Sequence, residues 1–455
     1  MSQSLRNFLL GGLIVVAASA APAGQAARSL TLDECLSLAL ENSHGLKASG
    51  YRAETASAQA LQARAARFSP LKLSGGYTRL SEVPPFEVNL PLGSIPGLSF
   101  LPASFVVSPQ FQNSYSLKLS MQQPVFAGFR LRSTAALAAD QAMAAAEDLA
   151  GDRAELILTV KTAYWSLYKA RALEKLAGDS VAALEAHLTD ARNLQSAGLL
   201  IRAEILKVEA QLATARLQNL DAGNAVRMAE VLLASLTGLP LSTAIEPATP
   251  AESTPPETAG AIGAGAAEMA GQARAQRPEM RALDLRIKAG EQAVVAAKGT
   301  AYPQVFVFGD FYLARPNPRI MPSKDAWKDT WDLGIGVSID LWAWGQTRHQ
   351  TAQAEAQLAQ VREIKLQAED ALNVEVTQAV LALDQSRARI AAALAAVGQA
   401  EENRRAANDR FKAGSASATD VLDAEILLLQ ARTQHTQALV DREMAKARIA
   451  KVTGG

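Results

Sequence analysis

Between Leu156 and Ala191, eleven positions spaced alternately four and three apart read L, V, A, L, A, E, A, V, L, L, A. The positions 216 residues further on read L, V, A, L, S, I, A, V, A, R, A. A period of 3.5 held over several heptads is a coiled-coil seam, since it keeps one stripe of a helix facing its partner. The alanines in it let several helices approach closely. A helix over about 131–195 would be about 100 Å long at 1.5 Å per residue, which no compact enzyme accommodates. Composition agrees, with 49% hydrophobic, 20% charged and only 5% aromatic residues, and excludes a disordered chain. Lys and Arg number 45 against 45 Asp and Glu, so no basic excess points to nucleic acid. A single cysteine, Cys35, excludes a disulfide framework and a cysteine-based zinc site.

The offset of 216 runs through the chain. Gly198 falls on Gly414, Leu206 on Leu422, Glu209 on Glu425, and the LTG of 236–238 on the VTG of 452–454. Such self-similarity marks a duplicated structural unit. Each long helix is expected to turn at Ser196-Ala197-Gly198 or Lys412-Ala413-Gly414 and to return to 237 or 452, making two antiparallel hairpins. The Pro-, Thr-, Ala- and Gly-rich stretch from Pro240 to Gly265 reads as a crossover linker. The expected organisation is a first repeat over 27–238 (strands about 71–123, hairpin about 129–237), a linker over 239–270, and a second repeat over 271–455 (strands about 304–342, hairpin about 345–452).

Of 24 aromatic residues, 18 lie in the windows 68–129 and 302–344, where the side-chain period is two. Leu333, Ile335, Val337, Ile339 and Leu341 alternate with Asp332, Gly334, Gly336, Ser338 and Asp340; Tyr115, Leu117, Leu119 and Met121 alternate with Ser116, Lys118, Ser120 and Gln122. One apolar and one polar face suit a membrane barrel with lipid outside and a wet lumen inside. Four strands are expected, about 71–80, 112–123, 304–313 and 331–342, joined by external loops 83–109 and 314–326. Closure takes about eight strands, so several chains must contribute. Trp327, Trp331, Trp342 and Trp344 near the strand ends fit either interfacial girdles or packing within the barrel.

Residues 1–26 read as a secretory signal, with Arg6, an apolar run from Phe8 to Val16, and small residues at Ala18-Ser19-Ala20 or Ala21-Pro22-Ala23. Cys35 lacks the small apolar residues that precede a lipidated cysteine, and no run of eighteen apolar residues marks a membrane helix.

The order of signal, helix, strand pair, long hairpin and linker, then the same again, resembles TolC-type outer-membrane efflux proteins over essentially the whole mature chain. The motifs that carry the resemblance are TLDECLSLALENS, Pro70 and Pro303 at helix-to-strand joins, PVFAGFR and DLWAWGQ at strand-to-helix joins, and the tip FKAGSASATDVLDAE. The resemblance implies a homotrimer: a mostly α fold in which four strands per chain close a 12-stranded barrel in outer-membrane lipid, and the hairpins form a periplasmic α-helical tunnel. It implies a passive exit duct for a tripartite efflux or type I secretion system. The partners would be a periplasmic adaptor (membrane fusion protein) and an inner-membrane pump of the proton-driven RND or ATP-driven ABC type. The rival reading, a structural coiled-coil envelope protein or adhesin, has no use for amphipathic strands.

No Walker loop, nucleophile elbow or HExxH occurs, and His44, His187, His349 and His435 have no metal-ligand spacing; neither catalysis, metal nor cofactor is expected. By resemblance Asp420 and Asp423, three apart and so on one helix face, form the channel aperture, where a trimer would crowd six carboxylates. Crowding is expected to raise their pKa values and to attract multivalent cations. The first-copy equivalents are Glu204 and Lys207. Two departures stand out: the family pattern has a tyrosine and an arginine where this chain has Phe411 and Ala416, leaving Arg404, Arg405 and Arg410 as substitutes for the latch. The hairpin tips, Gly198, Leu199 and Leu200 with Gly414, Ser415 and Ala416, are the expected adaptor-docking surface, with Leu199, Leu200 and Ile201 facing water.

Overall fold

The structure, a computed structural model, describes residues 28–84, 86–89, 104–108, 111–251 and 262–454. The expected signal over 1–26, and parts of the loop 83–109 and of the linker 239–270, lie outside the described residues. In chain order the elements are β1 (Arg28–Leu30), α1 (Leu32–Asn42), α2 (His44–Ala65), β2 (Lys72–Arg79), β3 (Phe86–Asn89), β4 (Ser104–Ser108), β5 (Asn113–Ala127), α3 (Arg130–Ser196), α4 (Arg202–Thr237), β6 (Ile245–Pro247), α5 (Ile262–Gln276), α6 (Pro278–Lys298), β7 (Gln304–Arg315), β8 (Lys328–Ser338), α7 (Gln346–Lys412) and α8 (Ala418–Val452). The heptad seam is where the helices bury themselves. In α3 and again in α7, seven of the eleven seam positions are buried and none is fully exposed.

The chain divides into two units, the first made of residues up to Ser43 with Leu156–Gly260 and Ala379–Ile449. Its α1 starts on a capping box, in which Thr31 N donates to Glu34 Oε2 (2.8 Å) and Glu34 N donates to Thr31 Oγ1 (3.3 Å). Cys35 and Ala39 then pack with Tyr164, Leu167, Val226 and Leu233 in one core cluster. A parallel pair that sequence did not lead us to expect joins β1 to β6, Arg28 opposite Ile245 and Leu30 opposite Pro247. The Tyr164 hydroxyl fastens it, donating to the Leu30 carbonyl (3.2 Å) and accepting from Thr249 N (2.8 Å). α4 ends at Gly238 in the left-handed region (φ 74°), with Leu239 N donating to Ala234 O (2.9 Å). Asn42 Nδ2 caps the Thr237 carbonyl beside it (3.0 Å).

The second unit comprises His44–Glu155, Ala261–Gln378 and the chain's last residues from Ala450. Its centre is an antiparallel sheet of order β2-β5-β7-β8. The register sorts side chains by face, because alternate residues point to opposite sides. One row across all four strands is Leu73, Leu119, Phe311 and Trp331, and its neighbours include Met121 and Leu333. The other face carries Lys72, Ser120, Asp310 and Asp332 in one row and Ser74, Lys118, Tyr312 and Thr330 in the next. It is the apolar face that is bare: Leu73, Trp331, Leu333 and Ile335 are 69%, 72%, 70% and 73% exposed. On the polar face Lys118 pairs with Asp310 (3.0 Å), and Arg319 from the β7–β8 loop pairs with Asp332 and lies over the Tyr312 ring at 4.4 Å.

The small residues of β8 have a steric cause. A Cβ on Gly334 would stand 2.6 Å from Phe308 Cζ, and one on Gly336 2.4 Å from Phe306 Cζ, so the rings of β7 occupy the places of the missing side chains. The fourth strand differs in extent from the expected 331–342. It runs Lys328–Ser338, because Gln304, which pairs with Ser338, is the first residue of β7 and leaves Ile339–Leu341 no ladder partner. The loop 83–109, read from sequence as a plain connection, carries the antiparallel pair β3–β4. Aromatics gather at both ends of the sheet. Tyr77, Tyr115 and Trp327 cluster at the end away from the helix joins (centroids 5.0 and 6.0 Å), and Trp342 contacts Trp344 (5.9 Å) just past β8.

Candidate functional site

The hairpin tips belong to the first unit and are built by two matching helix stops. At Gly198 (φ 76°) the Leu199 N–H reaches back to Leu194 O (2.9 Å) and the Gly198 N–H to Gln195 O (2.9 Å); at Gly414 (φ 72°) Ser415 N reaches Arg410 O (2.9 Å) and Gly414 N reaches Phe411 O (3.0 Å). This paired closure satisfies the last carbonyls of α3 and α7 and requires a left-handed residue, hence glycine in both copies. Beneath the tips Leu184, Leu188, Ile205, Val208, Phe411 and Val421 form one cluster drawn from α3, α4, α7 and α8.

The apolar tip residues divide. Leu199 and Ile201 are 72% and 68% exposed, whereas Leu200, expected to face water, packs on the cluster, as does Ala416. Gly198, Gly414 and Ser415 are exposed, and the Ser415 hydroxyl donates to Arg410 O (3.1 Å).

The return helices start differently. Ser417 N donates to Asp420 Oδ2 (2.8 Å), the Ser417 hydroxyl donates to the same oxygen (2.8 Å) and accepts from Asp420 N (3.3 Å). Asp420 is therefore the acid of a capping box at the head of α8. These bonds, from the Ser417 backbone first and its hydroxyl second, hold its carboxyl below the usual aspartate value, and the Arg410 charge adds a little. Within one chain this is the reverse of the rise expected from crowding, because the cap favours the ionised form. Asp423 is exposed one turn on. In the first copy Glu204 and Lys207 neutralise each other (2.8 Å), and Lys207 Nζ also reaches Thr419 Oγ1 (3.4 Å).

Three arginines were candidates for the latch. Arg404 is turned to the buried Glu425 (3.5 Å), and Arg405 to Glu402 and Asp409, so Arg410 is the one of the three whose charge bears on Asp420. Burial pushes the Glu425 carboxyl up, against the pull of Arg404. Phe411, 2% exposed, lies inside the cluster with its ring 4.7 Å from that of His187. His187 is bonded to the backbone of Ala418, and burial pushes its imidazole below the ordinary value. Among the described residues its Nε2 is buried without a partner.

The model of the outer membrane efflux protein family matches residues 35–239 and 269–455 of this chain. The chain belongs to that family. It is 24% identical over 344 residues to outer membrane efflux protein BepC of Brucella suis, covering 76% of this chain and 73% of BepC. Its fold is similar to that of VceC of Vibrio cholerae (TM-score 0.76, 21% identity, 93% of this chain and 96% of VceC) and of the Campylobacter jejuni CmeC outer membrane channel (TM-score 0.78, 16% identity, 93% and 85%).

In this outer membrane efflux protein the described tip residues present exposed apolar side chains, Leu199 and Ile201, beside the exposed carboxylates Asp420 and Asp423. Among the described residues no helix is long and apolar enough to cross a membrane, and no three metal-ligating side chains converge. Sequence reading missed the His187–Phe411, Arg404–Glu425 and Lys207–Thr419 contacts. His187 meets Phe411 across 224 positions of sequence, and no local period reports a contact of that kind. The capping box did have a signal, the serine of Ser417-Ala418-Thr419-Asp420 three residues ahead of the acid.

Proposed function

We propose that this chain is the outer-membrane exit duct of a tripartite efflux or type I secretion system. It conducts substrates passively from an adaptor and an inner-membrane pump to the exterior. The observation that carries the reading is the four-stranded sheet, whose outer strands β2 and β8 each have, among the described residues, one unpaired edge and whose apolar face is exposed. In water such a sheet would aggregate through its edges. Three copies supply twelve strands, enough to close a barrel with Leu73, Trp331, Leu333 and Ile335 toward lipid, Lys118 and Asp310 toward a wet lumen, and aromatics at both rims. By resemblance to the family, the helical hairpins of three copies form a periplasmic α-helical tunnel. Asp420 and Asp423 ring its inner mouth, and Gly198, Leu199, Leu200, Gly414, Ser415 and Ala416 form the tip that meets the adaptor.

The duct catalyses nothing and supplies no energy. Cell fractionation and mass measurement in mild detergent test the architecture: the protein is expected with the outer membrane and as a trimer. A soluble periplasmic monomer would overturn it.

A further inference from the structure

The polar face of the sheet holds a built hollow of about 510 Å³, lined by Lys72, Lys118, Asp310, Phe306 and Phe308 among others. Its size lies within the range of small-molecule sites, about 300–1,000 Å³. Its aromatic floor is fixed: the Phe308 and Phe306 rings lie over Gly334 and Gly336, with centroids 6.2 Å apart. Its charge is uneven. Asp310 is already matched by Lys118 at 3.0 Å, whereas Lys72, in the same row, is exposed and among the described residues has no carboxylate within ion-pair reach. The face as a whole is positive, since Lys72, Lys118, Lys328 and Arg319 stand over two acids, Asp310 and Asp332. An aryl body stacks on the phenyl rings, and an anionic head meets Lys72 and the outer side of Lys118.

We propose that this hollow is a transfer subsite for aromatic organic anions, an aryl sulfonate or carboxylate, on the inner wall of the duct. The assignment rests on the exit-duct reading, which turns this face to the lumen. Lys72 is open to water, so its contact is weak, as conduction requires: a bound molecule must also leave.

The test is single-channel recording in planar bilayers, with 2-naphthalenesulfonate or the uncharged 2-naphthalenemethanol added on the barrel side. The sulfonate is expected to block the wild-type channel at concentrations where the alcohol does not. Lys72→Gln is expected to raise the half-blocking concentration about fivefold, the size of one exposed charge contact. Lys328→Gln removes the same charge from the same face outside the hollow and is expected to leave it within about twofold. Equal block by both probes, or equal loss in Lys72→Gln and Lys328→Gln, overturns the subsite while leaving the duct in place. A protein that forms no channels overturns the duct and the subsite with it. The comparison of the two probes on the wild type stands whether or not Lys72→Gln assembles.

Discussion

Replacing Gly238 by alanine separates two costs that this fold combines. Gly238 ends α4 at φ 74°, ψ 17°, where any Cβ costs about 1 kcal/mol. Here the new Cβ would also stand 2.6 Å from Asn42 Cβ and 3.1 Å from its Cγ. Asn42 must swing away and give up its bond to Thr237 O, worth about 1 kcal/mol, and the crowding adds about 1–3 kcal/mol. The total is about 4 kcal/mol. Gly198→Ala is the control, with φ 76° and no atom within 4 Å of its Cβ, so only the conformational cost remains. Hydrogen–deuterium exchange reads the difference locally. In Gly238→Ala the amides of Leu233–Thr237 and Leu36–Asn42 should exchange about 10³-fold faster, one decade per 1.4 kcal/mol. In Gly198→Ala they should not move. Equal acceleration in the two variants would show that the approach of Asn42 carries no energy.

Other outcomes follow from the tip and the core. Burial holds the His187 imidazole below its ordinary value near 6.5, so tip packing is complete above that value and weakens as pH falls toward the folded one. Protection at Leu184–Ala191, corrected for the intrinsic exchange rate, should therefore fall as pH drops below the ordinary imidazole value in wild type and not in His187→Leu; identical corrected profiles would refute the assignment. Burial pushes the Cys35 thiol up to about 11, so the folded protein should resist maleimide at neutral pH and react on denaturation; rapid labelling of the native protein would contradict the core position. A trivalent cation on the periplasmic side should block the wild-type channel and not Asp420→Ala with Asp423→Ala, and equal block would reduce these acids to helix-start caps. On the proposed docking of the tip, Leu199→Asp should abolish export without changing the oligomer found in mild detergent. Undiminished crosslinking to the adaptor would exclude Leu199 from docking.

The long-range architecture was legible because it rests on repetition. Val160, Leu167, Leu188, Val376 and Ile390 were placed in the seam by spacing alone, and all are buried. The alternation of β8 likewise gave its two faces, since a period of two survives whatever the neighbours are. What spacing could not give were partners. β1 and β6 are three residues each, too short for any period, and pair across more than 200 positions of sequence. Leu200 and Leu199 are chemically alike and adjacent, yet one packs and one does not, because the closure at Gly198 turns successive side chains to different sides. Phe411 looked like a gate residue lacking a hydroxyl. Its ring is core, against an imidazole no motif announces.

The phenyl rings over Gly334 and Gly336 set rules for how this sheet can drift over generations. With Phe308 Cζ at 2.6 Å and Phe306 Cζ at 2.4 Å from the Cβ that alanine would add, either glycine accepts a methyl group only if its ring swings aside. Loss of a ring would in turn leave bare backbone on the polar face. The route that leaves the remaining side chains in place is paired change, a smaller residue at 308 arriving with a larger one at 334, and likewise at 306 and 336. In related sequences these pairs should therefore covary although 26 and 30 positions separate them, and a lone glycine-to-alanine change in either should be rarer than its mild chemistry implies.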